Sequence, residues 1–206
     1  MLENNAVLSF KSMNEFIEIM NEFKIPKKWK MQKGILNSRG FEIKDKEYVI
    51  LLKDLFQKSK LFRRNVSIAE IVSWLDSFVV IKRLLSLMEE QEEVFKDFEF
   101  YFEYKIEMSK NRRIDYIIRN HDKLLLIEFR STEKFDNISS VWQKKELELL
   151  IYKELLCNYL PEEIKVRIYS FVMMPEYSDS TRIEKNAKYN NDNIKYLLEF
   201  IKKYLM

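Results

Sequence analysis

The chain predicts an α/β fold in which a central mixed sheet is flanked by helices. Three observations carry this: a helical apolar period over about 68 to 93, three strand-like runs between 98 and 130, and a helix, strand, helix series after 140. A chain of 206 residues is long enough for one sizeable domain, and two full domains are not expected.

Residues 1 to 65 read as short helices, a helical N-terminal extension to a core spanning 66 to 206. The extension is broken at "KIPKKWKMQKGILNSRG", which holds Pro26, Gly34, Gly40 and a basic segment over 24 to 33. Two readings of that segment are open: a solvated loop with Trp29 tucked against the core, or a phosphate-contacting arm of Lys27, Lys28 and Lys30 with Trp29 stacking on a base.

Ser67 and Glu70 stand at capping-box spacing. Ile68, Ile71, Val72, Leu75, Phe78, Val79, Leu84 and Leu85 then recur at helical intervals. In "DFEFYFEYKIEM" the alternation around Phe98, Phe100 and Phe102 suits a strand with one solvated face. "RRIDYII" and "KLLLIEFR" flank the polar "RNHD", which predicts a hairpin pairing 118 with 123 and a surface position for His121. "VWQKKELELLIYKELLCNYL" follows as a helix ended by Pro161, with Cys157 on its apolar face. "KVRIYSFVMM" is a strand stopped at Pro175, and "NIKYLLEFIKKYL" is a terminal amphipathic helix.

Composition excludes several function classes. Two Gly and three Pro leave no glycine-rich phosphate loop, so P-loop and dinucleotide-binding readings fail. A net charge of +3 from 36 basic and 33 acidic residues makes any nucleic-acid contact a matter of local patches. A single Cys forms neither an internal disulfide nor a zinc cluster, which fits a reducing cytoplasm. Neither a signal peptide nor an apolar run of about 18 residues is present, so no membrane association is expected.

Side chains two apart on a strand share a face, so Glu128 and Arg130 belong together. The predicted register sets Asp115 across from Leu126, with Glu128 diagonal to Asp115 on the same face. Two carboxylates so placed suit a hard divalent cation. They equally suit a structural ion pair with Arg112 or Arg113, and pattern alone leaves both open.

"RRIDYII" followed by "LLLIEFR" resembles the PD-(D/E)XK nuclease superfamily, in which an Asp ends or bends one strand and a [D/E]-x-K triplet lies on the next. Asp115 matches the first acid and Glu128 the second, while Arg130 stands where the family has Lys. "SWLDSF" is similar to the family's aromatic-rich first helix. "ELLIYKELL" resembles the Q-x-x-x-Y helix of RecB-like nucleases, with Glu148 in place of Gln and Tyr152 retained. The likeness spans about residues 67 to 175.

The resemblance implies a restriction-endonuclease-like sandwich that hydrolyses DNA phosphodiesters with Mg²⁺ or Mn²⁺. It implies metal ligation by Asp115, Glu128 and the backbone carbonyl of Phe129, completed by an acid of the first helix, Asp76 in preference to Glu70. Arg130 would orient water and offset charge. Two readings of Lys144 and Lys145 on the following helix are open: one of them faces the sheet near Glu128 in place of the missing Lys, or both are solvent-exposed. The sequence leaves the oligomeric state open, a homodimer included. The alternative is a catalytically inactive member of the fold serving as a nucleic-acid-binding or protein-interaction module. An unrelated α/β protein with a surface ion pair is a third reading.

Overall fold

Hydrophobic patterning along the chain builds a five-stranded sheet with helices on both faces. The computed structural model describes residues 2–27, 29, 42–62, 64–90, 97–107, 112–132, 135–174 and 180–206. The strands are β1 (Ala6–Phe10), β2 (Glu99–Lys105), β3 (Arg113–Asn120), β4 (Lys123–Ser131) and β5 (Lys165–Met173), and they lie side by side in chain order. The helices are α1 (Met13–Glu22), α2 (Glu47–Lys58), α3 (Ile68–Glu89), α4 (Ile138–Cys157) and α5 (Ser180–Leu205). β1 to β4 pair antiparallel and β5 joins β4 in parallel, with α4 as the crossover, so the expected α/β fold with a mixed sheet is present.

One face of the sheet, with Phe100, Phe102, Tyr116, Ile118, Leu125, Ile127 and Phe129, packs on α3 and the other N-terminal and C-terminal helices. The opposite face, with Tyr101, Ile117, Leu124 and Leu126, is covered by Leu149 and Leu156 of α4. α3 is buried around much of its circumference, including Trp74, Asp76 and Ser77. Its start is fixed by the predicted capping box of Ser67 and Glu70.

Four expectations need correction. Residues 1 to 65 are not a helical appendage: β1 forms the sheet edge beside β2, and Phe10, Phe16, Val49, Leu52 and Phe56 are part of the main core. "AVLSF" is short, and an edge strand of five residues alternates too briefly to stand out beside the helices that follow. β2 is buried on both faces, because Tyr101 and Tyr104 lie in the cluster that holds Leu2, Leu149 and Leu156 while Phe100 and Phe102 lie in the one packed on α3. The β3–β4 hairpin pairs Asn120 with Lys123 through the two-residue turn His121–Asp122, so the register differs by two residues from the 118 with 123 pairing. Cys157 is exposed at the end of α4.

The hairpin turn needs a left-handed residue, and His121 supplies it at φ 53°, exposed as expected. A second left-handed residue is harder to anticipate. Glu103 adopts φ 50° in the middle of β2. Pairing runs through Phe102↔Tyr116 and resumes at Tyr104↔Ile114, passing over Glu103 and Asp115. Alternation breaks there, so the consecutive residues Phe102 and Glu103 both touch Trp74.

Candidate active site

The interruption continues across the sheet and forms the site. β3 and β4 pair as far as Tyr116↔Ile127, and the next rung would join Asp115 to Glu128. The two-residue shift in register therefore keeps both acids on one face and sets them directly opposite instead of diagonal. Side chains take over the missing rung: the Asp115 N–H donates to Glu128 Oε1 at 3.2 Å, and the Phe129 N–H donates to Asp115 Oδ2 at 2.8 Å. The chains separate here, and the acids meet at a cavity of about 410 Å³ that opens between α3 and α4.

The sheet supplies Asp115, Glu128 and Arg130 to the cavity wall. Helix α4 supplies Lys145, Glu148 and Tyr152, which face the sheet together because they recur at helical spacing. Lys145 Nζ donates to Glu128 Oε2 at 2.9 Å and to Glu148 Oε2 at 2.6 Å, and the Tyr152 hydroxyl donates to Glu148 Oε1 at 2.6 Å. Lys145 thus occupies the position by Glu128 that the sequence left open to Lys144 or Lys145; Lys144 is exposed. Arg130 is exposed on the cavity wall.

Burial and like charge act on this cluster in opposition to Lys145. Burial pushes the Glu128 carboxyl well above the ordinary carboxylate range and Asp115 adds repulsion, which Lys145 only partly offsets. Asp115 is also raised by burial, against the Phe129 N–H and the Lys145 charge. Burial also acts upward on Glu148, but hydrogen bonds from Lys145 and Tyr152 hold it below its ordinary value. Burial favours loss of the Lys145 proton, yet the Glu128 and Glu148 carboxylates raise its pKa, so it stays an ammonium.

A second polar chain lines the α3 side. Arg64 grips Glu70 through two hydrogen bonds of 2.9 and 2.6 Å, Arg113 Nη1 approaches Glu70 at 2.5 Å, and Arg113 Nε lies 2.5 Å from Glu103 Oε2. Trp74 Nε1 donates to Glu103 Oε1 at 2.7 Å. Burial pushes Glu103 up to about 8 even with Arg113 beside it. Glu70 goes the other way: burial is outweighed by Arg64, the Ser67 N–H and Arg113, and it is held at about 2.

The first-helix acid at the cavity is therefore Glu70 and not Asp76. Asp76 is buried away from the cavity wall and accepts from Trp29 Nε1 at 2.8 Å. Trp29 also packs edge-on against Tyr48, which corresponds to the tucked reading and takes its ring away from the base-stacking role. Lys27 is exposed, and Lys28 and Lys30 lie outside the described residues. Among the described residues no group of three or more His, Cys, Asp or Glu side chains is arranged to hold a metal ion. A cation at this site would rest on two carboxylates, backbone oxygen and water.

Glu103 escaped the sequence reading, although a signal was present. Its run has aromatic residues at both odd and even positions, Tyr101 as well as Phe100, Phe102 and Tyr104, and aromatics on both faces mean both faces are covered. An acid inside such a strand is buried and needs a cationic partner, which Arg113 provides.

No family profile and no curated protein matches the chain. Among solved structures the chain is similar to the crystal structure of protein VC1899 from Vibrio cholerae, at 11% identity and a TM-score of 0.33. The match covers 92% of this chain and 50% of that one, so the chain spans half the length of that protein.

Proposed function

We propose that the protein is a Mg²⁺-dependent nuclease of restriction-endonuclease-like fold that hydrolyses DNA phosphodiesters in the cytoplasm. The observation that supports this best is the meeting of Asp115 and Glu128 where β3 parts from β4, with Lys145 on Glu128 at the same cavity.

The residues fit a hard cation. Burial raises both carboxyls, and the Asp115 charge adds repulsion on Glu128, a condition that a divalent ion with oxygen ligands relieves. Asp115 and Glu128 would hold it, with the Phe129 carbonyl, and Mg²⁺ readily keeps water in its remaining positions. Such an ion supplies Lewis-acid polarisation of the phosphodiester and an acidified water.

Lys145 does what the family's Lys does on the strand. It holds Glu128 in place, keeps positive charge beside the reacting phosphate, and is fixed in turn by Glu148. Arg130 adds a planar fork of hydrogen-bond donors, suited to holding a phosphate oxygen. Glu70, neutralised by Arg64 and Arg113, closes the far wall.

A second reading is a catalytically inactive module of the same fold that binds nucleic acid or protein. It is favoured by the pairing of Lys145 with both Glu128 and Glu148, which offsets acidic charge in the cluster without an ion. Cleavage of supercoiled plasmid and of linear single- and double-stranded DNA with Mg²⁺ or Mn²⁺, comparing wild type with Asp115→Asn and Glu128→Gln, separates the two. Nuclease function requires activity in wild type that both isosteric changes remove. Folded wild type that neither cleaves DNA nor shows metal heat in calorimetry supports the inactive module.

A further inference from the structure

The outer face of α4 is apolar where solvent should make it polar. Leu147, Leu150 and Ile151 are 63%, 44% and 52% exposed, and their spacing of three and four residues puts them on one stripe. This stripe lies opposite the face that carries Lys145, Leu149, Tyr152 and Leu156 towards the sheet. It is flanked along the same outer side by Lys144 towards one end and Glu154 towards the other, both exposed.

We infer that this face is the contact between two copies of the chain, with α4 packed antiparallel on α4 of the second copy about a two-fold axis near residue 149. An isologous contact must be self-complementary, and this order of side chains is. With the axis there, Leu147 faces Ile151 of the other copy and Leu150 fills the centre. Lys144 and Glu154 are each five residues from the axis, about 7.5 Å along the helix, so each Lys144 meets the Glu154 of the other copy. A parallel arrangement would set lysine against lysine and glutamate against glutamate. Charge complementarity thus selects both the occupant, a second copy, and its direction.

The stripe is short, which makes the contact concentration-dependent rather than permanent. The inference does not rest on nuclease function, because the residues that make the contact point away from the cavity. It does place the two cavities in a fixed two-fold relation, each on the inner side of its own α4.

Sedimentation equilibrium of the full chain across the micromolar range tests it. Wild type is expected to dimerise reversibly, with Leu147→Glu and Ile151→Glu each leaving it monomeric. Lys144→Glu and Glu154→Lys are each expected to weaken the dimer about tenfold by setting like charges together. The double variant, in which the pair is reversed, should regain wild-type dimerisation. Circular dichroism melts confirm that each variant is folded, and the four positions are exposed, so folding is not expected to suffer. Monomeric wild type throughout the range would overturn the inference and leave the stripe to a different partner. So would a dimer indifferent to the Leu147 and Ile151 changes, or one in which the double charge reversal restores nothing.

Discussion

The ammonium of Lys145 lies 2.9 Å from Oε2 of Glu128 and 2.6 Å from Oε2 of Glu148, so a helix delivers to the strand acid the charge that the strand's own Arg130 carries away to the exposed wall. The distinction sets unequal weights on two cations of one cavity.

Lys145→Met is expected to lower the rate of DNA cleavage by about 10²-fold or more, whereas Arg130→Lys should cost far less. Steady-state cleavage of a fluorescent duplex measures both. Equal losses, or a larger loss at Arg130, would show that the helix lysine is not the functional cation.

Metal binding should appear as stabilisation. Mg²⁺ or Mn²⁺ is expected to raise the melting temperature of wild type with rising concentration, and to leave Asp115→Asn and Glu128→Gln unmoved. Without metal, Glu128→Gln should melt at or above wild type, because it removes a desolvated carboxylate that repels Asp115. A metal-free Glu128→Gln protein that melts well below wild type would show Glu128 to be a net structural asset.

The pH dependence of stability follows from groups displaced in opposite directions. Glu103 has its pKa raised from 4.5 to about 8, and Asp115 and Glu128 are also raised, so all three bind protons more readily folded than unfolded. Their contribution is complete below the unfolded values and is lost as pH rises through the folded ones. Glu70, lowered from 4.5 to about 2, contributes above its unfolded value and loses that contribution as pH falls through about 2. The metal-free melting temperature should therefore peak at weakly acidic pH and fall between roughly pH 5 and 8. Glu103→Gln should flatten that fall, and a wild-type profile rising over the same interval would refute the assignment.

Asp76→Ala removes the acceptor for the Trp29 indole and is expected to destabilise the fold by about 1–3 kcal/mol. Metal-induced stabilisation should persist, as Asp76 does not line the cavity. Loss of the metal response with little change in stability would return Asp76 to the ligand set. Urea denaturation with and without Mg²⁺ reads both quantities.

Local periodicity made much of this legible. The α3 capping box, the β3 and β4 strands and the common face of Asp115 and Glu128 follow from spacing alone, and the two-residue register error left the face intact because side chains alternate with period two. Lys145 was within reach as one of two adjacent lysines, but which of them faces the sheet depends on the rotation of α4, set by Leu149 and Leu156 in the core. The contact of Trp29 with Asp76 joins residues 47 positions apart and leaves no trace in local pattern. The burial of Glu103 could be read from the aromatics around it, but its left-handed backbone could not, since no glycine marks it and its position is sustained by Trp74 and Arg113 from elsewhere in the chain.

The passed-over rung at Glu103 and Asp115 also divides the sheet mechanically. Beyond it β2 and β3 keep the pairs Tyr104↔Ile114 and Lys105↔Arg113 and the bond from the Ile106 N–H to the Arg112 carbonyl, while Tyr104 also pairs with Ala6 of β1. That tip is a separable unit of opening: its amides should exchange with solvent as a group, at a lower free energy than the Ile117 and Leu126 region, without unzipping the sheet.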